Sequence, residues 1–367
     1  MPVTMSLPRR RLLGRSLSAI AGATFALAGC GTSAVASAVN DAGDEASIVA
    51  QDSAVTSDTP IDAATTPDAA TDTAPDTSTG PVTKSDCSTS HLIGCYRGMY
   101  VSLQAAGTGD VTFSGATAKY ANVLGDTTKE NALLAFLTAH RIESLALYDL
   151  NTILADATLS ARLLSFLERA RAVGVLDVNA IGDTTLSAWD AIAAMQKAHA
   201  PFDGVVTEIE FWNPGTTFDQ FTATLSYIRS LAMNDRAGAK LPLAAYVGWP
   251  TPAQIDATVP LLDRLYVHVY VTSADKAFGY GQARFQAIAS ANGRLGTHVD
   301  VWPIFSAEGT AWSAGAEHFM GDWLSTHTLD EAEATLLTDW EATPPGTAVT
   351  VSGFQYFSDF FMEQYVK

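Results

Sequence analysis

The sequence is poor in residues that hold metals and phosphates. It has 3 cysteines and 7 histidines among 367 residues. It contains no HExxH motif, no CxxC motif and no cluster of histidines, which are common marks of a metal site. Gly-rich phosphate-binding loops are also absent, although the chain has 27 glycines. We therefore predict neither a bound metal nor a cofactor.

Basic residues are also scarce. The chain has 21 Lys and Arg against 39 Asp and Glu, which gives a net charge of -18. A protein that binds nucleic acid needs a basic surface to meet the phosphates, so nucleic acid is excluded as a partner.

Large apolar residues are almost missing between residues 31 and 86. This segment consists mainly of Ala, Thr, Ser, Pro and Asp, and its acidic residues are accompanied by one base, Lys84. Such a segment cannot bury enough surface to offset the chain entropy lost on folding. We predict that residues 31–86 form a disordered, self-repelling linker.

The amino terminus is predicted to be a targeting segment. Three arginines, at positions 9–11, precede a short apolar stretch that ends at Leu27. This stretch is too short, and too often interrupted by Ser and Gly, to be a good candidate for a transmembrane helix. The arginines resemble a twin-arginine export signal, and Leu27-Ala28-Gly29-Cys30 resembles a bacterial lipobox. This resemblance implies a signal peptide over residues 1–30 and lipidation of Cys30. The alternative is a plain signal peptide cleaved nearby.

The lipobox resemblance implies an exported protein that is held at the cell envelope by its lipid alone. Gly31 stands where an Asp often retains such proteins at the inner membrane, which favours the outer membrane. For the two remaining cysteines, Cys87 and Cys95, a local disulfide is the default prediction in an exported protein.

From about residue 96, strand-like and helix-like stretches alternate. The predicted strands are 97–103, 143–148, 174–179, 205–211, 243–247, 265–271, 299–305 and 353–357, and the predicted helices include 129–140, 159–172, 186–199, 217–233, 281–291 and 328–340. This pattern predicts a single α/β domain over residues 87–367, a (β/α)8 TIM barrel. The alternative is an open doubly wound sheet, which usually has a Gly-rich first turn that we do not find.

In each predicted strand, the less aliphatic set of alternate side chains is expected to face the barrel interior. Eight of these residues are predicted to bind substrate: Tyr100, Gln104, Asp177, Asn179, Tyr246, His268, Trp302 and Gln355. Amides, carboxylates and rings suit a polyhydroxylated ligand, whereas ordinary barrel interiors hold branched aliphatic residues. Some of the eight are expected to be core residues, and for His268 a hydrogen-bonded core role and a base role both stay open. Rings near strand ends, such as Trp249 and Trp312, could stack on sugars.

The stretch 202–213, FDGVVTEIEFWN, carries two acids on one face of a strand, Glu208 and Glu210. Unpaired charge is costly to bury, so two acids on an otherwise apolar strand predict a polar cavity at its carboxyl end. The alternative is an ordinary pair of ion-paired carboxylates on a half-exposed strand.

This stretch is similar to the chitinase-like glycoside hydrolases (family 18), whose fourth strand reads FDG, an aliphatic residue and then DxDxE. The resemblance implies a (β/α)8 barrel in which Glu210 is the general acid and Glu208 assists the acetamido group of the substrate. It also matches Tyr270 to a Tyr of the sixth strand. Two positions depart from the family pattern, because Val206 replaces the first Asp and Val271 replaces the Asp after the Tyr.

Other functions compete with this one. Retaining glycosidases use two carboxylates about 5 Å apart, and Glu308, after the seventh strand, is a candidate nucleophile for that chemistry; the alternative is a loop Glu in water. The two valines instead suit a non-catalytic carbohydrate-binding lipoprotein, and a structural envelope protein is a third possibility. The sequence predicts neither the sugar and linkage nor the oligomeric state.

Overall fold

The computed structural model describes residues 95–104, 122–182, 184–309 and 319–366, and only the backbone at 112–113 and 116–117. The predicted signal peptide, Cys30, the linker and Cys87 lie outside the described residues, as does Trp312. The disulfide between Cys87 and Cys95 therefore stays a prediction.

Eight parallel strands close into a barrel, in the spatial order β1-β10-β9-β8-β7-β6-β5-β4. They are β1 (Tyr96–Val101), β4 (Ser144–Leu147), β5 (Asp177–Gly182), β6 (Gly204–Thr207), β7 (Leu243–Val247), β8 (Arg264–His268), β9 (Asp300–Ser306) and β10 (Gly353–Phe357). A short antiparallel pair, β2 (Thr112–Phe113) and β3 (Ala116–Thr117), was not predicted. The (β/α)8 prediction is confirmed, and the open-sheet alternative is wrong.

Helices connect the strands. They are α1 (Thr127–Ala139), α2 (Leu150–Leu154), α3 (Ala157–Ala172), α4 (Leu186–His199), α5 (Phe218–Ser230), α6 (Pro252–Thr258), α7 (Ala277–Leu295), α8 (Gly321–Leu324), α9 (Leu329–Ala342) and α10 (Asp359–Tyr365). Side-chain caps set several of their starts: Asp126 and Asp156 accept main-chain N–H groups of the first turn, and Thr217, Thr251 and Thr328 form capping boxes. These caps satisfy N–H groups that have no partner inside the helix.

Several barrel strands have bounds that differ from the predicted ones, and the third and the fourth differ most. The third begins at Asp177 rather than 174, because Gly174, at φ 114, turns the chain after α3 and the next residues bond to that turn and to the neighbouring strand. The fourth ends at Thr207 rather than 211. The N–H of Phe211 there donates to the carbonyl of Ile209, which folds the chain into a turn. Both acids of the stretch therefore lie just beyond the strand, at its carboxyl end.

Contacts across the barrel identify the interior side chains. Arg264 of β8 donates to Asp177 of β5 at 3.2 Å, and the rings of Tyr100 on β1 and Tyr266 on β8 lie 6.4 Å apart. These strands are not neighbours in the sheet, so their side chains meet inside the ring. The interior is a packed core of polar and aromatic side chains where branched aliphatic residues are usual.

A buried ion pair joins the first strand to the last long helix on the outside of the barrel. Arg97 of β1 donates through Nε to Glu333 of α9 at 2.6 Å and through Nη2 at 2.7 Å. The hydroxyl group of Tyr356 on β10 donates to the same carboxylate at 3.1 Å. Arg97 is 6% exposed and Glu333 is 2% exposed. The pair therefore lies across the seam where β1 and β10 close the barrel.

Candidate active site

Glu208 lies at the carboxyl end of β6 and reaches over the barrel interior. Its carboxylate accepts a hydrogen bond from the hydroxyl group of Tyr148, which follows β4 two strands away. Burial raises the pKa of Glu208 to about 7; the hydroxyl groups of Tyr148 and Tyr100 act to lower it, and the charge of Glu210 raises it further. A carboxyl group of this kind exchanges its proton near neutral pH.

Glu210 lies beside Glu208 and interacts with it electrostatically. Its carboxylate accepts a hydrogen bond from the amide of Asn213, and burial raises its pKa above the usual value. The alternative of ordinary ion-paired carboxylates is wrong, because Glu208 and Glu210 take their hydrogen bonds from a phenol and an amide. We call Glu208 and Glu210 the acid pair.

Tyr100 forms the floor below the acid pair. It is 1% exposed, and its ring lies 5.6 Å from that of Tyr148 and 5.9 Å from that of Phe357. Tyr100 was predicted to bind substrate, but it is covered by its neighbours and lies in the packed interior of the barrel.

Asp177 and Asn179 lie deeper than predicted. Asp177 accepts hydrogen bonds from Ser144 at 2.7 Å, from Asn179 at 2.7 Å and from Arg264 at 3.2 Å. Asp177 and Arg264 are the first residues of their strands, so the group lies at the amino-terminal end of the barrel. Active sites of such barrels lie at the opposite end. These side chains satisfy one another and close the base of the barrel.

Trp302 and Gln355 also belong to the packed interior. Trp302 is fully buried, with the guanidinium of Arg264 4.1 Å from the centre of its ring. Gln355 is fully buried too and occupies space that a side chain at Gly98 would need, with its Oε1 1.6 Å from the Cβ position there. The prediction of substrate contacts needed exposure at the mouth, which neither residue has.

His268, Tyr246 and Tyr270 lie at the upper end of the barrel in an aromatic cluster. The ring of His268 lies 3.9 Å from that of Tyr270, 4.6 Å from that of Trp249 and 6.0 Å from that of Tyr246. Burial, and then the charge of Arg284, hold the pKa of His268 well below its usual value. His268 is therefore a neutral, packed side chain, which agrees with its core interpretation.

Gln104 lies on the far side of the mouth, near the ends of β1 and β4. Its side-chain amide donates to Asn122 at 3.2 Å, and its main-chain N–H donates to Asp149 at 3.3 Å. Asp149 also accepts from the hydroxyl group of Ser102 at 2.5 Å, and burial raises its pKa to about 6. Asn151 is exposed.

Glu308 follows β9 and is 2% exposed, so the alternative of a loop Glu in water is wrong. The hydroxyl group of Ser306 donates to its carboxylate at 3.1 Å. Burial raises the pKa of Glu308 to about 7.

Two mouth residues, Tyr148 and Asp359, were not among the predicted site residues. The alternation of side chains places Tyr148 on the interior face of its strand. Its hydrogen bond to Glu208, however, joins the ends of two strands, β4 and β6, that lie far apart in the sequence. Asp359, 3% exposed in α10, has a pKa raised well above its usual value by burial. It follows the last strand without a motif around it, and nothing in its sequence context could have indicated it.

Two further properties concern the part of the chain that the structure describes. Within it, no group of three or more His, Cys, Asp and Glu side chains is arranged to hold a metal ion. Among the same residues, no helix has the length and hydropathy to cross a bilayer.

No protein-family model and no curated protein matches the chain. Solved structures similar to it include the xylanase and α-amylase inhibitor of Scadoxus multiflorus, at 12% identity over 74% of this chain and 95% of that chain, with a TM-score of 0.44. They also include a chitinase of Ipomoea carnea, at 14% identity over 74% and 97%, with a TM-score of 0.41. A tamarind chitinase-like lectin matches at 11% identity over 74% and 99%, with a TM-score of 0.40. These similarities concern the barrel fold alone, and the chemistry of the site is argued only from the residues of this chain.

The raised pKa values predict a dependence of stability on pH. Glu308 has a folded-state pKa of about 7 against 4.5 for the free side chain. Its stabilising contribution is fully present below the lower value and is lost as the pH rises through the higher one. Glu208 acts in the same direction. The pKa of His268 is lowered from 6.5. Below pH 6.5 its contribution therefore increases the free energy of unfolding as the pH rises, opposite to that of the two acids.

We therefore expect the free energy of unfolding to fall between about pH 6.5 and 8, with Glu308 contributing about 1 kcal/mol. Denaturant titrations at several pH values would measure this. Glu308→Gln should flatten the slope, whereas Glu168→Gln, on the exposed face of α3, should leave it unchanged. An equally steep slope for Glu308→Gln would contradict the assignment.

Proposed function

We propose that the protein is a glycoside hydrolase-like surface lipoprotein that acts on a glycan, with Glu210 as the general acid. One observation carries this proposal: two interacting carboxyl groups with raised pKa values lie at the carboxyl-end mouth of a closed barrel, beside aromatic rings. This is the face where such barrels hold their active sites, and perturbed acids cluster at catalytic sites.

The acid pair is suited to proton transfer. Two ionised carboxylates that interact in a partly buried site repel each other, so the pair retains a proton closer to neutral pH than a free carboxyl group would. Asn213 holds the carboxylate of Glu210 by its amide, and Tyr148 holds Glu208. In this arrangement Glu210 donates a proton to the oxygen of the glycosidic bond. Burial keeps the pKa of Glu210 raised, and the carboxylate of Glu208, once ionised, stabilises positive charge that develops on the sugar.

Tyr270 and Glu308 have supporting roles in this proposal. Tyr270 is 6% exposed, and its ring lies 5.6 Å from that of Phe319, so its contact with a ligand is limited to an edge of the mouth. Glu308 is a nucleophile candidate only for the retaining mechanism, in which it must approach the acid pair.

A second function is a non-catalytic glycan-binding protein. The observation that favours it is Val206, which is fully buried in β6 at the position where the resembled family carries an acid. Without that acid, no charged group lies directly below Glu208 on the same strand. Binding by the aromatic rings of the mouth would not need one.

Incubation of the purified chain with a panel of oligosaccharides, followed by detection of new reducing ends, distinguishes the two functions. Hydrolysis that Glu210→Gln abolishes supports the enzyme. Binding without turnover, for both the unaltered chain and the variant, supports the binding protein. Neither binding nor turnover would contradict both and favour a structural envelope protein.

The lipid anchor is proposed from the sequence around Cys30. In a cell that exports the protein, Cys30→Ser should move it from the membrane fraction to the soluble fraction and abolish labelling with a radioactive fatty acid. Unchanged fractionation would contradict the anchor. The proposed disulfide between Cys87 and Cys95 predicts that both thiols react with a maleimide only after reduction.

A further inference from the structure

Asp149 has a backbone conformation and a hydrogen-bonding pattern that set it apart from similar residues of the chain. It precedes α2 at the N-cap position, with φ 63, yet its side chain makes no bond to the helix. Asp126 and Asp156 occupy the same position before α1 and α3, and their carboxylates do cap those helices. A left-handed backbone is costly for a residue other than glycine, and strained residues of this kind cluster at functional sites. The carboxylate of Asp149 is therefore directed to something other than its own helix.

The end of β1 fixes this carboxylate. The hydroxyl group of Ser102 donates to Asp149 at 2.5 Å, and the main-chain N–H of Gln104 donates to it at 3.3 Å. Both donors follow β1, whose carboxyl end forms part of the mouth. Because Asp149 is also partly exposed, its carboxylate is held in one orientation without being sealed from the mouth.

A second carboxyl group near Asp149 differs from it in burial and in charge. Asp359 accepts the main-chain N–H of Ser102 and is 3% exposed. Burial, and with it the charge of Asp149, raises the pKa of Asp359 well above its usual value, whereas the pKa of Asp149 is about 6. At pH 7 Asp149 is therefore the ionised member of the two, and it is also the more accessible one.

Asp149 and Glu210 lie two strands apart around the mouth. Tyr148, the residue before Asp149, reaches from the end of β4 to Glu208 at the end of β6, and β5 lies between these strands. Neighbouring strands lie about 4.8 Å apart, so the main chains at the ends of β4 and β6 are separated by roughly 10 Å. Carboxyl groups that reach inward from two such ends have room for one water between them. This spacing favours an inverting hydrolysis, in which the carboxyl groups are roughly 6.5–9.5 Å apart, over a retaining one, in which they are about 5 Å apart.

We propose that Asp149 is the general base of an inverting hydrolysis whose general acid is Glu210. The carboxylate of Asp149 takes a proton from a water, and the water oxygen bonds to the anomeric carbon on the face opposite to the leaving oxygen. The bond from that carbon to the leaving oxygen breaks, and the leaving oxygen takes the proton of Glu210. One water is consumed, and both carboxyl groups recover their starting protonation by exchange with solvent. This inference rests on the proposed function and adds to it a second catalytic residue and a stereochemical outcome.

The configuration of the product is the first test. The unaltered chain is incubated with tetrasaccharides of β-1,4-linked glucose, β-1,3-linked glucose and β-1,4-linked N-acetylglucosamine, and proton NMR records the anomer that forms first. The α-anomer is expected from each probe that is cleaved, because the water attacks the face opposite to the leaving oxygen. A β-anomer formed first would overturn the inference and leave the hydrolase standing, with Glu308 or the acetamido group of the substrate as the nucleophile. Cleavage of none of the probes would overturn both the inference and the proposed function.

Asp149→Asn tests the residue itself. The amide oxygen can still accept the hydroxyl group of Ser102, but it cannot take a proton from water, so kcat on a cleaved probe should fall about 100- to 10,000-fold with KM little changed. Azide attacks without a base, so it should restore cleavage by Asp149→Asn and yield the α-glycosyl azide, and it should not restore cleavage by Glu210→Gln. Asp126→Asn, at an exposed cap that either residue can form, should leave kcat unchanged. Full activity in Asp149→Asn, or a loss that azide does not relieve, would overturn the role of Asp149 as the base.

Discussion

The Glu210→Gln chain is expected to bind the glycan and to hydrolyse it about 100- to 10,000-fold more slowly than the unaltered chain. The amide has nearly the shape of the carboxyl group and can still contact Asn213, but it cannot donate a proton to a leaving group. The loss should therefore appear in kcat rather than in KM, as expected for a group that acts in the transition state.

Glu208→Gln tests the other half of the acid pair. The pKa of Glu208 is raised to about 7. Because only the ionised carboxylate stabilises the positive charge that develops on the sugar, the activity of the unaltered chain should rise as the pH increases through that value. In Glu208→Gln, kcat should fall and the step near pH 7 should disappear from the pH profile of kcat/KM, which reports free-enzyme groups.

Glu168→Gln is the matched control for both changes, because Glu168 is exposed on α3, away from the mouth. It should leave kcat, KM and the pH profile as they are. Full activity in Glu210→Gln would contradict the role of Glu210. An activity loss confined to Glu308→Gln would move the chemistry to the end of β9.

Strand number and order could be predicted because they depend on local patterns. Each of the eight apolar runs forms a barrel strand, and those at Leu243–Val247 and Gly353–Phe357 have the predicted bounds. The wrongly predicted ends of the third and fourth strands result from turns in the main chain. The bonds that remove 174–176 and 208–211 from their strands involve main-chain groups, and these do not depend on the side chains that a sequence pattern reads.

Site residues were harder to predict. The alternation of side chains along a strand shows which face of the sheet a side chain is on, but not how far along the barrel axis it lies. Asp177 and Glu208 were both predicted to face the barrel interior. Asp177, however, is the first residue of its strand, whereas Glu208 follows the last residue of its strand. Depth depends on the stagger of neighbouring strands, which places Asn179 level with Gly204 and Tyr246 level with Tyr266. The stagger is a property of the closed ring, so it could not be obtained strand by strand.

Removal of one partner from the buried pair of Arg97 and Glu333 is expected to have the largest effect on stability. Arg97→Met leaves the carboxylate of Glu333 at 2% exposure without its guanidinium partner. Burial already raises the pKa of Glu333, and Arg97 is the main influence that opposes the rise. The uncompensated buried charge should lower the free energy of unfolding by about 3–5 kcal/mol.

The double variant Arg97→Met with Glu333→Leu separates the charge from the packing. Two apolar side chains of similar volume need no partner, so the double variant should be more stable than either single variant, with a coupling energy above about 2 kcal/mol.

Arg294→Met is the matched control, because Arg294 pairs with Asp256 at the surface, where the two side chains are 52% and 41% exposed. It should change stability by less than about 1 kcal/mol. Denaturant unfolding of the unaltered chain, the two single variants, the double variant and Arg294→Met tests this prediction. A single-site loss as small as that of Arg294→Met would mean that the seam between β1 and β10 is held by its strand hydrogen bonds and apolar packing, and not by this ion pair.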